Sequence, residues 1–173
     1  VAQFGNAIIP IMLIAGLVMG LVNGLLVTKL KLPSFIVTLC TMNFWSYIAL
    51  YLCPNGSEII PMDKRFMVQW ATQKVLGIPV MFLIALVGVA VLYIFQQYTV
   101  YGKAIFGVGA NVSATRLAGV NTDMAQIAAF VISGACSALA GALYAYKLKS
   151  AVPTVGDALT LTAIASVALG GTS

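Results

Sequence analysis

Hydrophobic residues make up 61% of this 173-residue chain and charged residues only 8%, against about a quarter charged in soluble domains. Too few charges are present to cover a water-facing surface, which excludes an ordinary soluble domain and makes lipid the solvent. The net charge of +5 is carried by scattered basic residues; this argues against a nucleic-acid partner and suits side chains that anchor helix ends at headgroups.

Histidine is absent, which removes imidazole triads, metal ligands and proton shuttles. The carboxylates are Glu58, Asp63, Asp123 and Asp157, none in the middle of an apolar run. Ion-coupled carriers keep ionisable groups at bilayer depth, so the driving force is expected elsewhere. Of the three cysteines, Cys40 and Cys136 lie in apolar runs as small hydrophobes, and their spacing with Cys53 is not that of a metal site. No catalytic residue, metal or cofactor is expected, and no nucleotide-binding Gly-x-x-x-x-Gly-Lys-Ser/Thr occurs.

The first apolar run, about Ala7 to Val27, is long enough to cross a bilayer. Gly16, Gly20 and Gly24 lie on one face and admit a neighbouring helix closely. A short break with Lys29, Lys31 and Pro33 follows, Pro33 suiting the first turn of the next helix. The second run, Ser34 to Leu52, carries Trp45, Tyr47 and Tyr51 as interfacial aromatics near its far end. Residues 53–78 form the longest polar stretch, with a short surface helix expected around Trp70. The third run covers Pro79 to Phe95.

Residues 99–123 read as a polar loop holding one small helix. Asn111 is a good N-cap and Gly119 a good C′ residue able to take positive φ. From the residues alone this is an ordinary capped surface helix or a rigid knob for another protein. The fourth run, Met124 to Tyr146, presents Gly134, Ala138 and Ala142 as a second close-packing face, with Asp123 and Gln126 as a capping-box-like pair at its start. The last run, Ala158 to Leu169, is too short to span and is a truncated span or a re-entrant half-helix. The expected fold is all-α: a polytopic transmembrane bundle of about four full spans plus that fifth piece. Residues 1–173 read as one domain. The chain opens on Val1 and ends at Gly170-Gly171-Thr172-Ser173 without a polar tail; it reads as part of a longer subunit lacking spans at both ends. If residues 28–33 and 98–123 share one side, the basic residues divide too evenly to orient the chain.

The loop resembles the cytoplasmic loop of permease subunits of ATP-binding-cassette importers, in the branch for ribose, other monosaccharides and branched-chain amino acids. Gly102, Lys103, Gly107, Gly109, Asn111, Ala114, Arg116, Gly119 and Val120 fill its motif. The likeness continues at Asn23-Gly24, Pro33, Phe35 to Leu39, Thr41-Met42, Leu148 to Gly156 and Ala163 to Ser173. It implies a bacterial inner-membrane, multi-pass permease without catalysis of its own. Residues 102–120 would couple it to a separate ATP-binding subunit, through Gly107, Gly109, Asn111, Ala114, Arg116 and Gly119. A second permease subunit, alike or different, would complete the pathway, and a solute-binding protein would dock outside, where residues 53–78 and 147–157 face. The chain departs from the branch at Cys40, at Ser46-Tyr47, and at Thr160 and Thr162, where acidic residues are frequent. Thr160, Thr162, Gly170 and Gly171 are expected to line the pathway; threonine hydroxyls suit a sugar, and Gly170-Gly171 favours sugars over branched-chain amino acids. The alternatives are an ion-coupled secondary carrier or a branched-chain amino acid permease subunit.

Overall fold

A computed structural model of the chain describes residues 8–53, 58–59, 73–75 and 77–170. Four of its helices are long and apolar enough to cross a membrane: α1 (Ile8–Leu30), α2 (Ser34–Leu52), α3 (Val80–Tyr98) and α6 (Thr122–Leu148). Among the described residues three shorter helices accompany them: α4 (Val100–Ala110), α5 (Val112–Leu117) and α7 (Val155–Leu169). The strands are two-residue ribbons, β1 (Glu58–Ile59) with β4 (Ser150–Ala151) and β2 (Lys74–Val75) with β3 (Ile78–Pro79). The all-α class therefore stands. α7 is 15 residues long, about 22 Å at 1.5 Å per residue, which is short of the hydrocarbon thickness. The surface helix expected around Trp70 lies outside the described residues.

The core of the bundle is the contact between α1 and α6. The two small-residue faces legible in the sequence meet each other. A Cβ placed on Gly16 would run into Ala138 Cβ, one on Gly20 would stand 2.9 Å from Val131 Cα, and one on Gly24 would stand 3.0 Å from Ile127 Cα. As the α1 number rises the α6 number falls, so the helices are antiparallel. With little solvent drive between helices in lipid, such backbone contact is what holds two of them together.

This register places the α1–α2 connection and the α3–α6 connection on one side. The β1–β4 pairing, with Glu58 opposite Ala151, ties the other two connections together on the far side. α3 has no buried residue and packs on α4; Phe82, Leu86, Val89 and Ile94 are all exposed. In water that surface would be a fault, whereas lipid or further spans accommodate it.

Three local expectations need correction. Residues 100–110 are helical where a loop was read. Thr99 caps α4, its Oγ1 accepting the Gly102 N–H at 3.0 Å while donating to the Phe95 carbonyl at 2.6 Å. α6 is capped by Asn121, whose Oδ1 accepts the Met124 N–H at 3.1 Å, and not by an Asp123–Gln126 box. Pro33 stands at the N-cap of α2, one position before its first turn, its carbonyl accepting from Ile36 and Val37.

Candidate coupling site and solute groove

α4, α5 and the start of α6 form a continuous, hydrogen-bonded structure on one side of the bundle. Gly102 lets α4 fold back on α3, since a Cβ there would stand 2.6 Å from Gln96 Cα. Asn111 joins two helices. Its N–H donates to the Gly107 carbonyl at 2.9 Å to close α4, and its Oδ1 accepts the Ala114 N–H at 3.0 Å to open α5. Thr115 Oγ1 donates to the Asn111 carbonyl at 2.8 Å. A Cβ on Gly107 would sit 3.2 Å from that same Oγ1, whereas Gly109 faces open space.

α5 ends in a Schellman arrangement. Gly119 has φ +81; its N–H donates to the Arg116 carbonyl at 3.0 Å and the Val120 N–H to the Thr115 carbonyl at 3.3 Å. Both orphan carbonyls are thereby satisfied, with glycine in the left-handed conformation the motif requires. The two caps read from the sequence are in place, and they delimit a helix of six residues.

Arg116 sits in the last turn of α5 and Asp123 in the first turn of α6. Arg116 Nη2 lies 3.2 Å from Asp123 Oδ1. Nε and Nη2 also donate to Thr122 Oγ1, at 3.3 and 3.0 Å. Thr122 itself is buried, at 2% exposure. Beside Arg116, Leu117 is 90% exposed, a large apolar side chain on a short helix outside the spans. The sequence reading missed it; the signal available was an aliphatic residue in the last turn of a helix too short to have a buried face.

A second feature lies on the opposite side. A groove of about 640 Å³ runs between α6 and α7, lined by Ser137, Gly141, Tyr144, Ser150, Thr160 and apolar neighbours, with no charged side chain among the described residues of its wall. Thr160 Oγ1 donates to the Gly156 carbonyl at 3.0 Å and touches Met42 Sδ at 3.9 Å, which brings α7 to α2. Of the residues expected to line a pathway, the structure puts Thr160 in this wall. Thr162 is about 200° further around the helix and, like Gly170, is not part of it. Gly171 lies outside the described residues. Ser137 and Tyr144 of α6 were not anticipated; both lie off the Gly134–Ala138 packing face. Among the described residues no three of Cys, Asp and Glu come together as a metal site would need.

Comparison with known proteins decides the family. A model of the branched-chain amino acid transport system permease component matches residues 1–173. The chain belongs to this permease family. It is 36% identical over 169 residues to the ribose import permease protein RbsC of Haemophilus influenzae, covering 96% of this chain and 52% of that protein. It is 35% identical to RbsC of Bacillus subtilis, covering 87% of this chain and 47% of the relative. It is 33% identical to the autoinducer 2 import system permease protein LsrC of Yersinia pseudotuberculosis, covering 93% and 45%. The chain spans about half the length of the curated relatives it matches. No solved structure matches it. As a permease-family chain it is a multi-pass membrane protein, with α1, α2, α3 and α6 as its spans.

Proposed function

We propose that the chain is part of the membrane subunit of an ATP-driven importer that moves a small, uncharged, polyhydroxylated solute of the monosaccharide class. The observation that carries this is α5: a six-residue helix capped at both ends and ending in an exposed leucine, in a chain whose relatives are named ribose import permeases. Capping makes such a short helix rigid, which isolated helices of this length are not. A rigid knob with an apolar tip is what a separate ATP-binding subunit needs to grip. ATP binding and hydrolysis take place on that subunit, and the permease contributes no catalytic group.

In this reading residues 28–33 and 98–123 face the cytoplasm, and residues 53–78 and 147–157 face outward toward a solute-binding protein. The membrane is the bacterial inner membrane. A second permease subunit completes the pathway. The groove between α6 and α7 lies toward the outer side, and its described wall offers hydroxyl groups, which suits a sugar, as do the names of the ribose import permeases that the chain resembles. For these reasons a sugar is favoured over a branched-chain amino acid.

Uptake by the complete subunit, reconstituted in proteoliposomes with its ATP-binding partner and binding protein, tests the proposal. Accumulation that requires enclosed ATP and survives collapse of proton and sodium gradients supports it. Accumulation that ends with the ion gradient and ignores ATP contradicts it.

A further inference from the structure

The turn between α5 and α6 is only Ala118 to Asn121, and it is closed by the Schellman bonds of Gly119 and Val120 on one side and the Asn121 cap on the other. Arg116 bridges over it to Thr122 and Asp123 with three bonds of 3.0 to 3.3 Å. Arg116 and Asp123 are 67% and 56% exposed, and an ion pair that open adds little to stability. Its effect is geometric. Two donors of a planar guanidinium on one buried hydroxyl, with a third interaction on the next residue, fix the angle between the two helices. The charges also have the signs that their helix ends favour, a cation in the last turn of α5 and an anion in the first turn of α6.

We infer that Arg116 is a positioning residue: it locks α5 onto the first turn of α6, so that a displacement of α5 moves α6, and α1 with it. The importer reading is assumed here, with α5 as the element the ATP-binding subunit grips. Because α1 and α6 meet backbone to backbone at Gly20 and Val131, they cannot part without losing that contact, so a shift of α6 carries α1. Arg116 therefore acts through its bonds within its own chain, while the neighbouring Leu117 is free to meet the partner. If the bridge is broken the partner still grips α5, but α5 pivots on its turn and the stroke is lost.

The test uses the complete subunit assembled with its ATP-binding partner and binding protein. Unmodified protein is compared with Arg116→Gln, Asp123→Asn, and the exchange Arg116→Asp with Asp123→Arg. Two quantities are read: the ATP-binding subunit retained, and the solute moved per ATP hydrolysed. Arg116→Gln should retain the ATP-binding subunit and lose about tenfold in solute per ATP, the factor expected for one charge-assisted hydrogen bond; Asp123→Asn, which keeps both Thr122 bonds and an acceptor oxygen, should lose less, and the exchange, which restores the ion pair but not the Thr122 bonds, should recover part of the loss of the Arg116 change. Unchanged solute per ATP in both single variants would overturn the inference. So would loss of the ATP-binding subunit from Arg116→Gln alone, which would make Arg116 a direct contact to the partner. An unmodified subunit that retains no ATP-binding subunit would overturn the importer reading, and this inference with it.

Discussion

Gly20 of α1 lies so close to α6 that a Cβ on it would stand 2.9 Å from Val131 Cα, with the Phe130 carbonyl closer still. Both obstacles are backbone, which cannot rotate away. Gly20→Leu should therefore push the helices apart at a cost of about 1–3 kcal/mol, the usual range for overpacking. Gly88 of α3 has nothing within 4 Å of its Cβ position, so Gly88→Ala is the matched control and should be neutral or slightly stabilising. Thermal unfolding of the two variants in detergent checks this: a clear loss of Tm for the first and none for the second.

Gly119 is held at φ +81. A β-branched side chain there costs about 1–2 kcal/mol or more, enough to open the end of α5. Gly119→Val should abolish transport while the outward side still docks loaded binding protein. Gly119→Asn, which tolerates the left-handed region, should keep most of it. Uptake measured beside binding-protein docking separates the two effects.

Asn111→Ala removes the acceptor for the Ala114 N–H. Loss of an N-cap costs about 1 kcal/mol, or roughly fivefold in an opening equilibrium. Amide exchange at Ala114 should speed up by that factor, while Asn111→Asp, which keeps the acceptor, should leave it near the unmodified rate.

Thr160→Val keeps the shape of the side chain and removes its hydroxyl from the wall of the α6–α7 groove. If the solute passes there, the concentration for half-maximal uptake should rise by about fivefold to tenfold, as for a lost neutral hydrogen bond. Thr162→Val, outside that wall, should change it less. Equal effects from the two would separate the pathway from this groove.

The spans and their contact were legible because each follows from one physical requirement. A bilayer demands about 20 apolar residues, and close approach demands small ones; Gly16, Gly20 and Gly24 could only await a partner such as Gly134 and Ala138. Asn111 and Gly119 were legible because a helix end needs an acceptor before it and a positive φ after it. α4 was not legible. Gly102, Gly107 and Gly109 lower intrinsic helix propensity, and only packing on α3, visible in three dimensions, explains why Gly102 belongs in a helix. Asn121 was passed over for Asp123 because both can cap; the burial of Thr122 under Arg116 sets the start two residues earlier. The bond from Arg116 to Asp123 was not legible, since it spans a turn whose geometry the sequence does not state. Ser137 and Tyr144 are ordinary residues of an apolar helix until α7 stands across from them.

On the proposed function, α5 is the grip of an ATP-binding subunit. A photo-crosslinking amino acid placed at Leu117, which is 90% exposed, tests it most directly in membranes containing the complete importer. A specific crosslink to the ATP-binding subunit is expected, and none from the same label at Leu86, an exposed residue of the spanning helix α3. A label at 117 that captures only lipid, or nothing, would contradict it.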